Sequence, residues 1–215
     1  METCSNSFSK FLSVWMLLSM ALASVALGGS SAAAQSWNLP VDVSDKNAKA
    51  GFEVDSTWHL IHGTTKNLSG RVWLENENDP SSVRGRIVIP VSAFDTDNSS
   101  RDSRMREVLQ ADKYAEVTVD ILSLASGCSP AALESRPECH STVHARLSIR
   151  GVVREVTLPI LIKRSGERYD VTGEVKIRWS DFGVEDPSIL VARLAKEVKI
   201  DFGLALSKPA NEAHS

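Results

Sequence analysis

Positive charge in excess is the first thing this sequence lacks. Its 215 residues carry 24 Lys and Arg against 27 Asp and Glu, a formal charge of −3. Phosphate backbones require clustered cations, so this balance argues against nucleic acid as a partner. Cysteine is scarce as well, present only as Cys4, Cys128 and Cys139. None stands at the end of the N-terminal apolar run, so a lipoprotein signal is not supported. Beyond that run no apolar stretch is long enough to span a bilayer. Enzymatic signatures are missing: there is no G-x-S-x-G elbow, no H-E-x-x-H pair and no phosphate-binding glycine loop. Glu185 and Asp186 are adjacent on a loop and read as solvated acids. His59-x-x-His62 and His140-x-x-x-His144 lack the converging geometry and supporting partners that a metal needs. The sequence therefore predicts no enzyme, no metal and no cofactor. Nothing in it fixes an oligomeric state.

What is present begins with a leader. Lys10 precedes an apolar run from Leu12 to Leu27, and small residues follow to Ala32-Ala33-Ala34. This pattern predicts a signal peptide over residues 1–34 and export to the periplasm. The remainder suits one domain over 35–208 with a polar tail at 209–215. In an exported chain Cys128 and Cys139 form an even pair flanking the turn-rich SPAALESRPE. They predict a disulfide that closes a short loop, stabilising by roughly 2–3 kcal/mol.

The body alternates with a period of two. Strands are predicted over 51–58, 66–75, 83–91, 115–122, 141–150, 152–163, 168–179 and 196–206. Residues 35–49 read as an approach segment and 59–65 as a bend. Pro90 suggests an edge or a strand end. No parallel crossover pattern appears. These strands predict an all-β, antiparallel protein, and both a closed barrel and a two-layer sandwich satisfy the alternation. One stretch breaks the pattern, FDTDNSSRDSRMREVLQADKY from Phe94 to Tyr114. Ser99-x-x-Asp102 has the form of a capping box, which makes Ser99 the candidate N-cap. Met105, Val108 and Leu109 fall at i, i+3 and i+4 on one helical face. Such a helix either lids a barrel mouth or rests on the outside of a sheet.

The order WHLIHGTTKNLSG, FDTDNSSRDSRM, LSIRGVVREVTLPI, WSDFGV and KEVKIDFGLAL resembles the YceI-like family over roughly residues 37–207. The resemblance implies an exported, lipocalin-like, eight-stranded antiparallel barrel with one amphipathic helix near a mouth. It also implies an apolar cavity for an isoprenoid-like lipid, either a polyprenyl chain or a quinone tail. The matching Arg-Asp pair is Arg101-Asp102, and the cysteine loop looks like an addition to the common core. Phe52, Trp58, Phe94, Met105, Leu109, Tyr114, Trp179 and Phe182 are candidates for the cavity wall, with Met105 and Leu109 foremost. Arg101 and Asp102 are candidates for a ligand head group. The favoured alternative is that Asp102 caps the helix and Arg101 covers the rim. The function expected is a periplasmic carrier that binds lipid by partition, with transient membrane contact. The rival is a quinone-binding accessory of a membrane cytochrome.

Overall fold

The computed structural model describes residues 37–186 and 193–207. The leader expected over 1–34, the tail expected over 209–215 and the apolar cluster at 189–191 lie outside the described residues.

Among the described residues eleven strands form one sheet in which every pairing is antiparallel. They are β1 (Val41–Ser44), β2 (Ala48–Asp55), β3 (Leu60–Thr65), β4 (Ser69–Leu74), β5 (Val83–Pro90), β6 (Phe94–Asp95), β7 (Glu116–Leu124), β8 (Glu138–Ile149), β9 (Val152–Ser165), β10 (Arg168–Arg178) and β11 (Glu197–Leu206). Helix α1 (Ser99–Val108) follows β6, and a short turn of helix, α2 (Ala132–Ser135), lies between β7 and β8. The strands run side by side in the order β1-β4-β5-β7-β8-β9-β10-β11-β2-β3-β6.

The expected all-β antiparallel class with one substantial helix holds, and the strand count is eleven instead of eight. The three additions are β1, β3 and β6. The segment read as a bend is β3, whose alternation is hidden by small residues. Ile61, Gly63 and Thr65 face inward, and Leu60, His62 and Thr64 face outward. Gly63 is small because the Phe52 ring occupies its space; a Cβ there would come within 2.1 Å of that ring. Pro90 does end its strand, although β5 lies between β4 and β7 and is not an edge.

The lipocalin-like barrel that the resemblance implies is met by one curled antiparallel sheet, not by the two-layer sandwich that alternation alone leaves open. The sheet curls into a half-barrel, and among the described residues no ladder joins β1 to β6 at its two margins. Connections take over instead. β3 and β4 are consecutive in the chain yet stand near opposite ends of the strand order, and residues 66–68 carry the chain between them. The Asp45 carboxylate, in the β1–β2 turn, accepts hydrogen bonds from the Asn67 and Leu68 amides at 2.8 and 2.9 Å. One turn therefore clips the other, where a continuous ladder would otherwise have to satisfy those amides.

The inward side chains divide into two groups at opposite ends of the sheet. One end is packed solid by Trp37, Leu124, Cys128, Leu133, Ile160, Ile162, Tyr169 and Leu206. The Trp37 ring meets the Tyr169 ring edge-on at 5.3 Å, and its indole N–H donates to the Pro80 carbonyl at 3.1 Å. Leu133 reaches this end from α2, inside the loop closed by the Cys128–Cys139 disulfide. The other end gathers Val91, Val117, Leu147, Phe182 and Val184 around a space. Strands β7, β8 and β10 contribute to both groups, so the sheet is a single wall with two differently treated ends.

Candidate functional site

A cavity of about 720 Å³ occupies the second end. That volume lies within the range of small-molecule sites. Its walls come from β2, β3, β5, β6, β7, β8, β10 and β11, with α1 across the top. Val54, Ile61, Val117, Leu147, Ile177 and Ile200 line it at different heights. The solvent-exposed members of the lining mark the mouth: Trp58 and His59 from the β2–β3 turn, and Asn98, Ser100 and Arg104 from the start of α1. Among the described residues no carboxylate lines the cavity, and its formal cations are Arg101 and Arg104, both on α1 beside the opening.

Helix α1 forms for local reasons. Asn98, in extended conformation, is the N-cap: its side chain accepts from the Arg101 amide at 3.0 Å. The expected cap, Ser99, is one residue too late and is already helical. The helix ends in a paired motif in which the Gln110 amide donates to the Glu107 carbonyl and the Ala111 amide to the Arg106 carbonyl. Gln110 takes the left-handed conformation, with φ of 54°, that such an ending requires. Between these ends Met105, Val108 and Leu109 share the face turned to the cavity, and all three line it. The helix therefore lies over the mouth instead of on the outside of the sheet.

Eight of the ten residues singled out from the sequence line this space: Phe52, Trp58, Phe94, Arg101, Met105, Leu109, Trp179 and Phe182. Phe52 and Phe94 meet edge-on at 5.8 Å. The Trp179 indole N–H donates to the Ala195 carbonyl at 2.9 Å, which fixes its ring in the wall. Trp58 stands beyond the end of β2 and is 72% exposed.

The other two residues lie elsewhere. Tyr114 is outside the lining, its ring against Gly151, where a Cβ would come within 2.6 Å. Asp102 is buried behind the helix and accepts from the Thr96 amide at 3.0 Å and the Thr96 hydroxyl at 2.5 Å. It does not reach back to the helix N-cap as a capping box would; it pins the loop that leads into α1. Thr96 passes the constraint on, because its hydroxyl and carbonyl accept from Arg101 Nε at 2.8 Å and Nη2 at 2.6 Å. Arg101 is thereby held at the rim by the loop that Asp102 anchors.

Sequence reasoning missed most of the aliphatic wall, such as Val117, Leu147 and Ile177. Alternation shows that these residues face inward but not whether they meet a neighbour or a void. It also missed Arg104, which lines the opening while its guanidinium pairs with Glu107 at 2.6 Å. Of the histidines, His59 is at the mouth, and His62 lies on the outer face, 3.1 Å from Glu53.

A curled antiparallel sheet enclosing a largely apolar lumen defines a lipocalin-like binding fold. Comparison with known proteins places the chain within that class. The YceI-like domain matches residues 41–206, and the chain belongs to that family. It is 24% identical over 177 residues to protein YceI of Salmonella newport, covering 78% of this chain and 86% of that protein. It is also 24% identical over 190 residues to a UPF0312 protein of Photorhabdus laumondii, covering 87% of this chain and 76% of the relative. Among solved structures it resembles a polyisoprenoid binding domain from Saccharophagus degradans implicated in plant cell wall breakdown. That likeness has a TM-score of 0.61 at 19% identity, covering 78% of this chain and 97% of that one. BcnA of Burkholderia cenocepacia superposes with a TM-score of 0.60 at 21% identity, over 74% of this chain and 95% of that one.

Proposed function

We propose that this protein is a periplasmic carrier or reservoir that holds the tail of an isoprenoid-like lipid in its lumen. The observation that carries this reading is the lumen's composition: about 720 Å³ of space walled mainly by aliphatic and aromatic side chains, with the charged groups among the described residues, Arg101 and Arg104, at the opening. A branched hydrocarbon gains from such a wall in proportion to the area it hides from water, roughly 3–4 kcal/mol per five-carbon unit at most. Ordering a flexible chain offsets much of that gain, and noncovalent affinities saturate near 18–21 kcal/mol, so binding is moderate and reversible. That suits a carrier, which must release what it holds. The fold it shares with the Saccharophagus polyisoprenoid binding domain supports the choice of lipid.

The mouth suits loading from a bilayer. Trp58 on the β2–β3 turn is 72% exposed and lines the opening with Arg104 of α1, and Leu60, the first residue of β3, is 40% exposed. Tryptophan favours the membrane–water boundary, and arginine favours anionic head groups. The leader read over residues 1–34 supports export to the periplasm, and the function needs no covalent change in the ligand.

Native mass spectrometry of the protein purified from a periplasmic fraction, followed by extraction and identification of the bound species, tests the proposal. A polyprenol-type lipid supports the carrier. A bound quinone moves the reading to a redox accessory of a membrane cytochrome. A chemically altered lipid that accumulates with time marks an enzyme instead.

A further inference from the structure

The lumen stops partway along the sheet. On β11 the inward residues are Val198, Ile200, Phe202, Leu204 and Leu206; the first two line the cavity, and the last three pack with the sealed end. The same boundary falls on β7 and β8, where the pair Val119 and Leu147 lines the cavity. The next inward pair, Ile121 and Ala145, does not line it, and Ala145 is 1% exposed. Phe202 is the first inward residue of β11 beyond the lining. Its partner across the ladder is Gly173, where a Cβ would come within 2.3 Å of the Phe202 ring tip. The glycine lets the ring lie flat over β10. Behind it stand the Trp37–Tyr169 pair and Leu133, which is 1% exposed.

We propose that Phe202, seated on Gly173 and the first inward residue of β11 beyond the lining, closes the floor of the lipid site from behind that lining and sets the length of tail it takes. The proposal rests on the reading that a hydrocarbon tail occupies the lumen. Liquid-like filling at about 30 Å³ per non-hydrogen atom puts about 24 atoms into the 720 Å³ available, or about five isoprenoid units. A tail longer than that leaves its remainder at the mouth, where burial adds little. Affinity therefore climbs with each unit up to about five and then levels off. Replacing Phe202 by Ala removes six carbon atoms from the floor, room for about one more unit. A space of this kind, lined by apolar groups, stays dry and accepts hydrocarbon.

The test is a length series of isoprenoid alcohols from three to nine units, run beside straight-chain n-alkanols, with dissociation constants read by competition against a fluorescent probe. Wild type is expected to show a break near five units. Phe202→Ala moves the break one unit higher and binds a six-unit alcohol about tenfold more tightly than wild type does. Phe202→Leu removes three carbons and moves the break by a smaller step; if the alanine variant fails to fold, the leucine variant decides. An unmoved break in folded variants overturns the floor. If n-alkanols show the break and its shift while no isoprenoid alcohol binds, the isoprenoid reading fails and the floor stands. If no chain of either kind binds, both fail.

Discussion

At one end of the sheet Trp37, Tyr169 and Leu133 are each at most 4% exposed, while at the other, side chains of similar size stand back around about 720 Å³. Strands β7, β8, β10 and β11 run through both regions. The strands therefore build the wall and do not by themselves decide whether it encloses protein or space. That choice falls to what is added at each end. The sealed end receives the residues just before β1 and the disulfide-closed loop with α2. The open end receives α1, which spans part of the mouth with a single apolar face, and the residues after β10, of which Trp179, Phe182 and Val184 line the lumen.

The comparison breaks first if the open end tolerates a charge. Leu109 ends α1 and lines the lumen. Leu109→Arg should leave a folded protein, because the new side chain faces space and can extend to the mouth. It fills the lumen and brings a charge against an apolar tail, so lipid retention should fall at least about tenfold. Co-purified lipid, quantified against wild type by mass spectrometry, checks this, and equal retention would remove α1 from the site. The opposite outcome is expected at the sealed end. Trp37→Ala leaves a hole among close-packed neighbours and strands the Pro80 carbonyl, at a cost of about 3–5 kcal/mol in urea unfolding. A loss under about 1 kcal/mol would mean that this end is not packed as described.

How much of this was legible in the sequence follows from the same contrast. Alternation marks which residues face inward, so the antiparallel class and most strands were readable. β3 escaped because its inward residues include Gly63 and Thr65, which carry no strong apolar signal; the reason for Gly63 is the Phe52 ring, a partner 11 positions away that only the fold brings close. β1 and β6 are too short for periodicity to register. The apolar face of α1 was readable at i, i+3 and i+4, but its cap was misplaced by one residue, since Asn98 and Ser99 are both good caps and only the backbone conformation distinguishes them. Asp102 was legible as a structural acid, and its partner Thr96 was not. The division between filled and empty lumen was not legible at all: Val117 in the wall and Leu124 in the sealed end lie on one strand with the same kind of side chain.

The disulfide gives a smaller effect and sharpens the comparison. Cys128 and Cys139 close a loop whose sequence separation is 11. Replacing both by serine should cost roughly 2–3 kcal/mol through the freed unfolded chain. Because the loop delivers Leu133 to the sealed end, the loss should appear as faster hydrogen exchange in the loop, the start of β8 and the end of β9. Exchange in α1 and the mouth should be unchanged. A uniform loss would mean that the two ends do not unfold as separate regions.

The smallest effects should appear at the extremes of pH and should divide by end. Outside the lumen, Lys199 on β11 reaches across both neighbouring strands, 3.0 Å from Glu174 and 3.1 Å from Glu53. The bond to Glu174, then that to Glu53, raises its pKa above the usual 10.5. A raised pKa means that the folded state holds the proton more tightly, so this tie is complete below pH 10.5 and is lost as pH rises through the higher folded value. At the sealed end Asp79 accepts from the Ser81 hydroxyl at 2.7 Å and the Ser81 amide at 2.9 Å, which lowers its pKa below 3.8. Its contribution is present above pH 3.8 and is lost as pH falls through the lower folded value. Asp79 precedes Pro80, whose carbonyl holds the Trp37 indole. Alkali should therefore loosen β2, β10 and β11 around the lumen in wild type, with Lys199→Met showing no matching pH step. Acid should loosen the turn at 75–82 first, and Asp79→Asn should remove that step. Segment-resolved hydrogen exchange at both extremes checks the assignment, and the same segment responding first to acid and to alkali would contradict it.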